Sequence, residues 1–282
     1  MTAAAVRAFV GLQPTGDPTR WALAVTEASL TPAGAVQGGA VFAAALEAME
    51  GSVGRRLVWA TGQYLSHLAH PADASVTVEV LVAGHRTTQA RAVVRHGDTD
   101  VLVAVGALGE RPWAHDGTWV APLAVEPPDG CPPRVIPGAP GGFAVCEVRA
   151  ARGRSYPDVD GTRGPGRSAS WVRLPGGGRR VPAAGDLAIV GDCVMLEVTD
   201  ALGIAVTGNS LDNTLRLAHR AETEWVLLDA TVHAIAGGFC SVTAELWSQD
   251  ATLLATASQT LVLRELKPGG AFPDRTRRIT GG

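Results

Sequence analysis

The segment Asp186–Gly203, which reads DLAIVGDCVMLEVTDALG, places the strongest constraint on how this chain can fold. From Leu187 to Met195 its side chains are apolar in every helical phase except at Gly191 and Asp192, so a helix here must be enclosed by the rest of the chain. An unpaired buried carboxylate costs several kcal/mol. Asp192 must therefore be hydrogen-bonded, protonated or placed at the wall of a cavity, and the sequence predicts a buried central helix that carries a functional acid.

The composition limits the partners that this chain can have. It has 282 residues, 46% hydrophobic and 18% charged, which is enough for about two domains with sizeable cores. The net charge of −3 predicts no nucleic-acid partner, and no apolar run approaches the roughly 20 residues of a membrane span. The four cysteines are widely spaced and form no CxxC pair, which favours reduced thiols and a cytoplasmic location.

The order of predicted elements repeats. A second segment that is apolar nearly all round, Val36–Met49, predicts another buried helix. Four strand-like segments follow that helix: Val58–Leu68, Ser75–Val82, Thr87–Arg95 and Asp100–Leu108. Four more follow the helix from Asp186: Ser210–Leu217, Trp225–Val232, Phe239–Trp247 and Thr252–Arg264. The triplet Leu-Ala-His also occurs twice, at 68–70 and 217–219, and we predict two tandem copies of one α+β unit.

Composition shifts set the predicted boundaries. We expect an N-terminal repeat over residues 1–111, a Pro- and Gly-rich linker over 112–139, and a C-terminal repeat that carries the active site over 140–266. Further strands are predicted at Arg20–Val25, Phe143–Arg149 and Ser168–Leu174. Residues 267–282, rich in Gly, Pro and Arg, are expected to form a flexible tail.

Several strings resemble the type II acyl-CoA thioesterase family, whose fold is a double hot dog. In the second half they are Ser210–Leu217 (SLDNTLRL), Glu224–Leu228 (EWVLL), and Leu253–Gln259 (LLATASQ) with Arg264. In the first half they are Gly38-Gly39 at the start of the helix, His70–Asp73 and the hairpin at Gly84. The resemblance implies an α+β double hot dog in which each repeat wraps a curved antiparallel sheet around a buried helix. It also implies an acyl-CoA or acyl-carrier thioester substrate, no cofactor beyond the CoA of the substrate, and a homodimer.

The same resemblance implies the catalytic residues Asp192, Ser210 and Gln259. The residues alone support part of this set, because strand alternation puts Gln259 in an apolar row where its amide needs a partner, and Asp192 needs donors. The alternative is that the backbone satisfies each of them and no chemistry is involved. Asp212 shares a predicted strand face with Ser210 and is left outside the set.

The first repeat is expected to be inactive, and one site per chain is predicted. The places in this repeat that correspond to the catalytic set fall on apolar helix residues and on Ala107 and Leu108.

No GxSxG elbow is present, which favours direct attack by water over an acyl-enzyme. We expect backbone N–H groups near a helix start to stabilise the developing oxyanion, and small residues such as Gly191 to leave room for the acyl chain. Two other functions stay open: a hot dog hydratase or dehydratase, although no Asp and His pair beside an Asn-Pro turn is found, and a silent acyl-CoA binder. His67, His70, His219 and His233 form no HExxH motif, so no metal is predicted.

Overall fold

The computed structural model describes residues 2–31, 34–134 and 146–266, which form four α-helices and twelve strands. The helices are α1 (Thr2–Val10), α2 (Gly38–Val53), α3 (Ala184–Gly191) and α4 (Met195–Leu202). The strands of the first half are β1 (Leu12–Pro14), β2 (Arg20–Ala24), β3 (Leu57–Tyr64), β4 (Asp73–Ala83), β5 (Thr87–His96) and β6 (Thr99–Gly109). Those of the second half are β7 (Val148–Arg152), β8 (Arg167–Arg173), β9 (Val206–Leu217), β10 (Trp225–Ala236), β11 (Phe239–Ser248) and β12 (Leu253–Glu265).

All twelve strands join one antiparallel sheet in the order β1-β2-β4-β5-β6-β3-β9-β12-β11-β10-β8-β7. Read outward from the centre, this order is the same in both directions, because β3 corresponds to β9, β6 to β12 and β5 to β11. The two halves meet where β3 pairs with β9, and there Thr61 lies opposite Thr214 with their hydroxyl oxygens 2.8 Å apart. The predicted pair of tandem α+β repeats, the double hot dog, is therefore confirmed.

The helix α2 is the core of the first repeat, and every side chain from Ala40 to Met49 is buried. It ends at Gly54, whose φ of +67° is a left-handed conformation that glycine adopts without strain. Glycine near a helix start weakens the helix, but here it permits contact with α3. A Cβ on Gly39 would lie only 2.8 Å from the carbonyl oxygen of Ala188 and 2.9 Å from Cα of Ile189. The two central helices therefore touch through Gly39.

The helix predicted from the apolar pattern of Leu187–Met195 is interrupted, because α3 ends at Gly191 and α4 begins at Met195. The turn between them is tighter than an α-helix, since the N–H of Cys193 donates to the carbonyl of Val190, three residues earlier. This interruption leaves the Asp192 side chain at the end of α3.

Most predicted strands are confirmed to within four residues at each end, since every predicted strand from 58 to 108 and from 210 to 264 has its counterpart. The predicted strand Phe143–Arg149 starts outside the described residues, and the observed strand is Val148–Arg152. Helix α1 and strand β1 were not predicted. Among the described residues, no helix combines the length and the apolar character needed to cross a bilayer.

The predicted linker has no strand or α-helix over its described part, residues 112–134, but it is packed against the second repeat. The indole N–H of Trp171 donates to the carbonyl of Glu126, and the N–H of Leu123 donates to the Asp229 carboxylate. Cys131 joins a second apolar cluster with Trp225 and neighbouring tryptophans. Residues 135–139 of the linker and the predicted tail lie outside the described residues, and the domain boundaries stay predictions.

Candidate active site

Asp192 lies at the end of α3 and faces the start of α2 from the other repeat. The N–H of Gly39 donates to Oδ2 of Asp192 at 2.7 Å. First-turn N–H groups have no intrahelical acceptor and carry the positive end of the helix dipole, so a carboxylate is a fitting partner. Burial raises the pKa of Asp192 to about 6, against the opposing effect of hydrogen bonds from Gly39, Ser210 and Gln259. The acid is therefore ionised at neutral pH, but it is more basic than an ordinary aspartate.

Ser210 and Gln259 complete a polar group around this acid. The hydroxyl oxygen of Ser210 lies 3.3 Å from Oδ1 of Asp192 and 3.1 Å from Oε1 of Gln259. The amide nitrogen of Gln259 donates to the carbonyl of Gly191 at 2.8 Å, which fixes the amide with its oxygen toward Ser210. The structure thus brings together the three residues that the resemblance implied, with Ser210 between the other two.

A β-bulge in β9 turns Ser210 toward the helices. The pairing with β12 shifts by one residue here, since Asp212 lies opposite Thr260 but Ser210 lies opposite Leu261. Asn213 is buried on the helix side of the sheet, and because of the extra residue Ser210 reaches that side as well. The expectation that Asp212 shares a face with Ser210 is wrong. Its carboxylate accepts the backbone N–H of Thr260 and holds the bulge.

Asp192 and Ser210 line a cavity of about 480 Å³ at the seam between the repeats, and Gln259 lies behind Ser210. Gln37, Gly38 and Tyr64 of the first repeat line it together with Asp192 and Ser210 of the second. Its apolar wall includes Val41, Leu68, Val101, Val148, Leu196 and Leu261. Both repeats therefore build the site, and an apolar chain with a polar end group fits its lining.

The expectation that Gly191 leaves room for an acyl chain is wrong. Gly191 does not line the cavity, and a Cβ at this position would lie 3.2 Å from Cβ of Ala257 in the sheet. The glycine permits α3 to pack closely on β12, and its carbonyl accepts the Gln259 amide. It therefore positions the Gln259 amide instead of opening space.

Two polar residues of the site, Tyr64 and Asn213, are not predicted from the sequence. The hydroxyl of Tyr64 and both amide atoms of Asn213 are buried without a hydrogen-bond partner. Tyr64 ends an irregular strand and Asn213 follows a bulge, so strand alternation assigns neither of them to the site. The glycine pair at the start of α2 is the sequence feature that indicates this side of the site, because glycine permits the backbone to lie close to Asp192.

The first repeat holds a counterpart of Asp192. Glu47 of α2 is fully buried, and its Oε1 accepts the N–H of Gly185, in the first turn of α3, at 3.2 Å. This contact is the reciprocal of the one between Asp192 and Gly39. The expectation of apolar residues at the corresponding helix place is therefore wrong, because it omits this acid. At the end of β6, Ala107 and Leu108 are apolar and buried, as expected.

The described residues contain no group of three or more His, Cys, Asp or Glu side chains arranged as metal ligands. The expectation that the reaction needs neither a metal nor another cofactor stays a prediction.

Comparison with known proteins places this site in a family. The family model for the acyl-CoA thioesterase C-terminal domain matches residues 125–263, which include Asp192, Ser210 and Gln259. No curated protein matches the chain. A solved structure from Novosphingobium aromaticivorans, assigned as a thioesterase, is 31% identical with a TM-score of 0.75, and the match covers 90% of this chain and 98% of that one.

Two more distant structures show the same fold. A protein with a hot dog fold from Alicyclobacillus acidocaldarius is 21% identical with a TM-score of 0.79, and the match covers 93% of this chain and 99% of that one. Acyl-CoA thioesterase II from Mycobacterium marinum is 18% identical with a TM-score of 0.69, and the match covers 95% and 100%. The family model and the 31% identical relative show that the chain belongs to the acyl-CoA thioesterase family of thioester hydrolases.

Proposed function

We propose that this chain hydrolyses an acyl-CoA thioester to the free acid and CoA, by direct attack of a water molecule held by Asp192, Ser210 and Gln259. The observation that carries the proposal is the placement of a basic carboxylate at the wall of a largely apolar cavity, next to Ser210, which also lines the cavity and contacts a fixed amide oxygen of Gln259 at 3.1 Å. The first turn of α2 lies on the same wall, at Gly38.

The two acceptor oxygens orient the water. Gln259 presents Oε1 because its amide nitrogen is occupied by Gly191, and Asp192 presents Oδ1 because its Oδ2 is occupied by Gly39. A water that donates one hydrogen bond to each of these oxygens directs a lone pair away from them, toward the cavity. Ser210, which contacts both acceptors, holds them at a fixed separation.

Asp192 acts as the general base. As the water oxygen bonds to the thioester carbon, one proton passes to Asp192 and the carbonyl electron pair moves onto oxygen. Collapse of the tetrahedral intermediate breaks the C–S bond, and the departing thiolate takes the proton back from Asp192. A positioned base contributes about 10²- to 10⁴-fold to such a step, and a pKa of about 6 suits it to neutral pH.

The first turn of α2 stabilises the oxyanion. Gly39 already donates to Asp192, and the preceding residue, Gly38, lines the cavity with the adjacent first-turn N–H. This helix has 16 residues, so its N-terminal partial positive charge is fully developed. A carbonyl oxygen placed there gains stabilisation as it becomes negative.

The acyl chain lies against the apolar wall, which includes Val41, Leu68 and Leu261. CoA or an acyl carrier protein presents the thioester from the open side of the cavity. The test is a panel of acyl-CoAs from acetyl to palmitoyl, read by release of free thiol. We expect hydrolysis of at least one member and none by Asp192→Asn. Hydration of crotonyl-CoA without thiol release would identify a hydratase, and thiol release unaffected by Asp192→Asn would refute the mechanism.

A further inference from the structure

Tyr64 is a polar residue of the cavity wall that the mechanism leaves unused. It ends β3, and its hydroxyl is buried without a hydrogen-bond partner. Buried tyrosine hydroxyls usually find a partner, and an unpaired one destabilises the fold by about 1–3 kcal/mol. A phenylalanine here would avoid that cost. The hydroxyl is better explained if an atom of a bound ligand accepts its hydrogen bond.

The phenol lies close to the reacting groups. A Cβ on Gly38 would lie 3.2 Å from Cζ of Tyr64 and 3.3 Å from Oδ2 of Asp192, so Gly38 is wedged between the phenol and the carboxylate. Tyr64 and Gly38 both line the cavity. A carbonyl oxygen at the first turn of α2 is therefore next to the phenol as well.

Asn213 lies behind Tyr64 and is almost fully buried. Its carboxamide is in close contact with the Tyr64 hydroxyl but does not meet hydrogen-bond geometry, and both of its polar atoms lack a partner. Asn213 lies opposite Gly62 in β3, two residues before Tyr64 on the same face. If the phenol turns its proton into the cavity, its oxygen is free to accept from the Asn213 amide. The hydrogen bonds of catalytic groups often tighten in this way when substrate binds.

We propose that Tyr64 is a further catalytic residue, whose hydroxyl donates a hydrogen bond to the thioester carbonyl oxygen as that oxygen becomes anionic. Asn213 is a positioning residue that holds the phenol oxygen. The proposal rests on the function proposed above. Burial and the nearby charge of Asp192 raise the pKa of Tyr64 well above its ordinary value, so the phenol keeps its proton throughout an assay.

The first experiment compares Tyr64→Phe with the unaltered full chain on the acyl-CoA that is hydrolysed fastest. Loss of one oxyanion donor predicts a kcat lower by about 10²-fold, with KM within about threefold. The Tm is expected to stay equal or rise, because no partner loses a bond. A kcat within twofold of the unaltered chain, or a clear fall in Tm, would overturn the proposal.

Tyr156→Phe is the matched control for stability. Tyr156 lines the same cavity, but its hydroxyl donates to the carbonyl of Val206 at 2.9 Å. Its removal leaves a buried acceptor unpaired, so a lower Tm is expected, the opposite of the result for Tyr64→Phe.

Asn213→Leu tests whether Asn213 acts through Tyr64. It is expected to lower kcat about tenfold in the unaltered chain and not at all in Tyr64→Phe, because the two residues act as a unit. Additive losses would overturn the role of Asn213.

The second experiment separates this proposal from the proposed function. Binding is measured to two acyl-CoA analogues that cannot be hydrolysed: a ketone, in which CH₂ replaces the sulfur and the carbonyl remains, and an S-alkyl thioether, which has no carbonyl. Tyr64→Phe is expected to bind the ketone about five- to tenfold more weakly and the thioether unchanged. This result would support the carbonyl contact even if no acyl-CoA were hydrolysed. Equal loss for both analogues, or binding of neither by the unaltered chain, would overturn it.

Discussion

Asp192 of the second repeat and Glu47 of the first are buried acids in reciprocal positions, each accepting an N–H from the first turn of the other repeat's central helix. Their surroundings differ. Asp192 faces the cavity and has Ser210 and Gln259 beside it. Glu47 is covered by α1, whose Arg7 pairs with it at 3.3 Å and stacks over Trp21. A buried acid alone does not make an active site, since access and a polar neighbour are also needed.

The largest expected difference between the two repeats is in catalysis. Asp192→Asn is expected to lower kcat by about 10³-fold because it removes the general base. Glu47→Gln is expected to leave kcat unchanged, because Glu47 does not line the cavity. Thiol-release kinetics on both purified variants tests this. A comparable loss in Glu47→Gln would mean that the first repeat takes part in the chemistry.

Replacing glycine by alanine is expected to destabilise the chain more at the start of α2 than at the start of α3. A Cβ on Gly39 would lie 2.7 Å from Cβ of Asp192 and within 2.9 Å of backbone atoms, so Gly39→Ala is expected to destabilise the chain by about 3 kcal/mol. The three atoms nearest to a Cβ on Gly185 would be side-chain atoms of Glu47 and Val6, at 3.1 Å. Gly185→Ala is therefore expected within about 1 kcal/mol of the unaltered chain. Urea unfolding measures both, and equal effects would contradict the comparison.

Glu47→Gln is expected to stabilise the chain at alkaline pH. Burial raises the pKa of Glu47 to about 7, so the folded state binds its proton more tightly than the unfolded state does. The stability linked to this proton is fully present below the ordinary pKa of 4.5 and is lost as pH rises through about 7. At pH 8 the variant should be more stable by about 2 kcal/mol, after allowance for the lost pair with Arg7, and near pH 4 it should be equal. Urea unfolding at the two pH values checks this, and a gain that is the same at both would refute it.

The smallest expected difference between the two acids is in how Glu47→Gln changes the pH dependence of turnover, where no change is expected. Since the base must be ionised, kcat is expected to rise with pH, to level off above about 6, and to fall about tenfold per unit below that value. Glu47→Gln should show the same profile, because the titrating group belongs to the other repeat. An acid limb that moves in this variant would show that Glu47 and not Asp192 sets it.

The sequence predicts those elements whose formation follows from a single physical rule. Alternation located strands such as Thr87–His96, because one face of the sheet packs on a helix. The all-round apolar pattern located both central helices. The same rule applies to Glu47, which is fully buried and more enclosed than Asp192, but the resemblance does not include it.

Other features depend on contacts between distant segments. The break after Gly191 and the bulge at Leu211 follow from how α3 and β9 pack on their neighbours, so local patterns do not show them. Helix α1 has only nine residues and docks on α2 through Val6 and Arg7. Tyr64 becomes part of the site only because β3 and β9 lie side by side at the seam.

The N–H of Gly39 in the first repeat donates to Asp192 in the second, so the two repeats meet at the proposed catalytic acid. Each repeat supplies residues to the cavity that the other does not, since Gly38 and Tyr64 come from the first and Asp192 and Ser210 from the second. Because both repeats belong to one polypeptide, they are always present in equal number. A substitution in either repeat is therefore expected to change the one cavity that both repeats line.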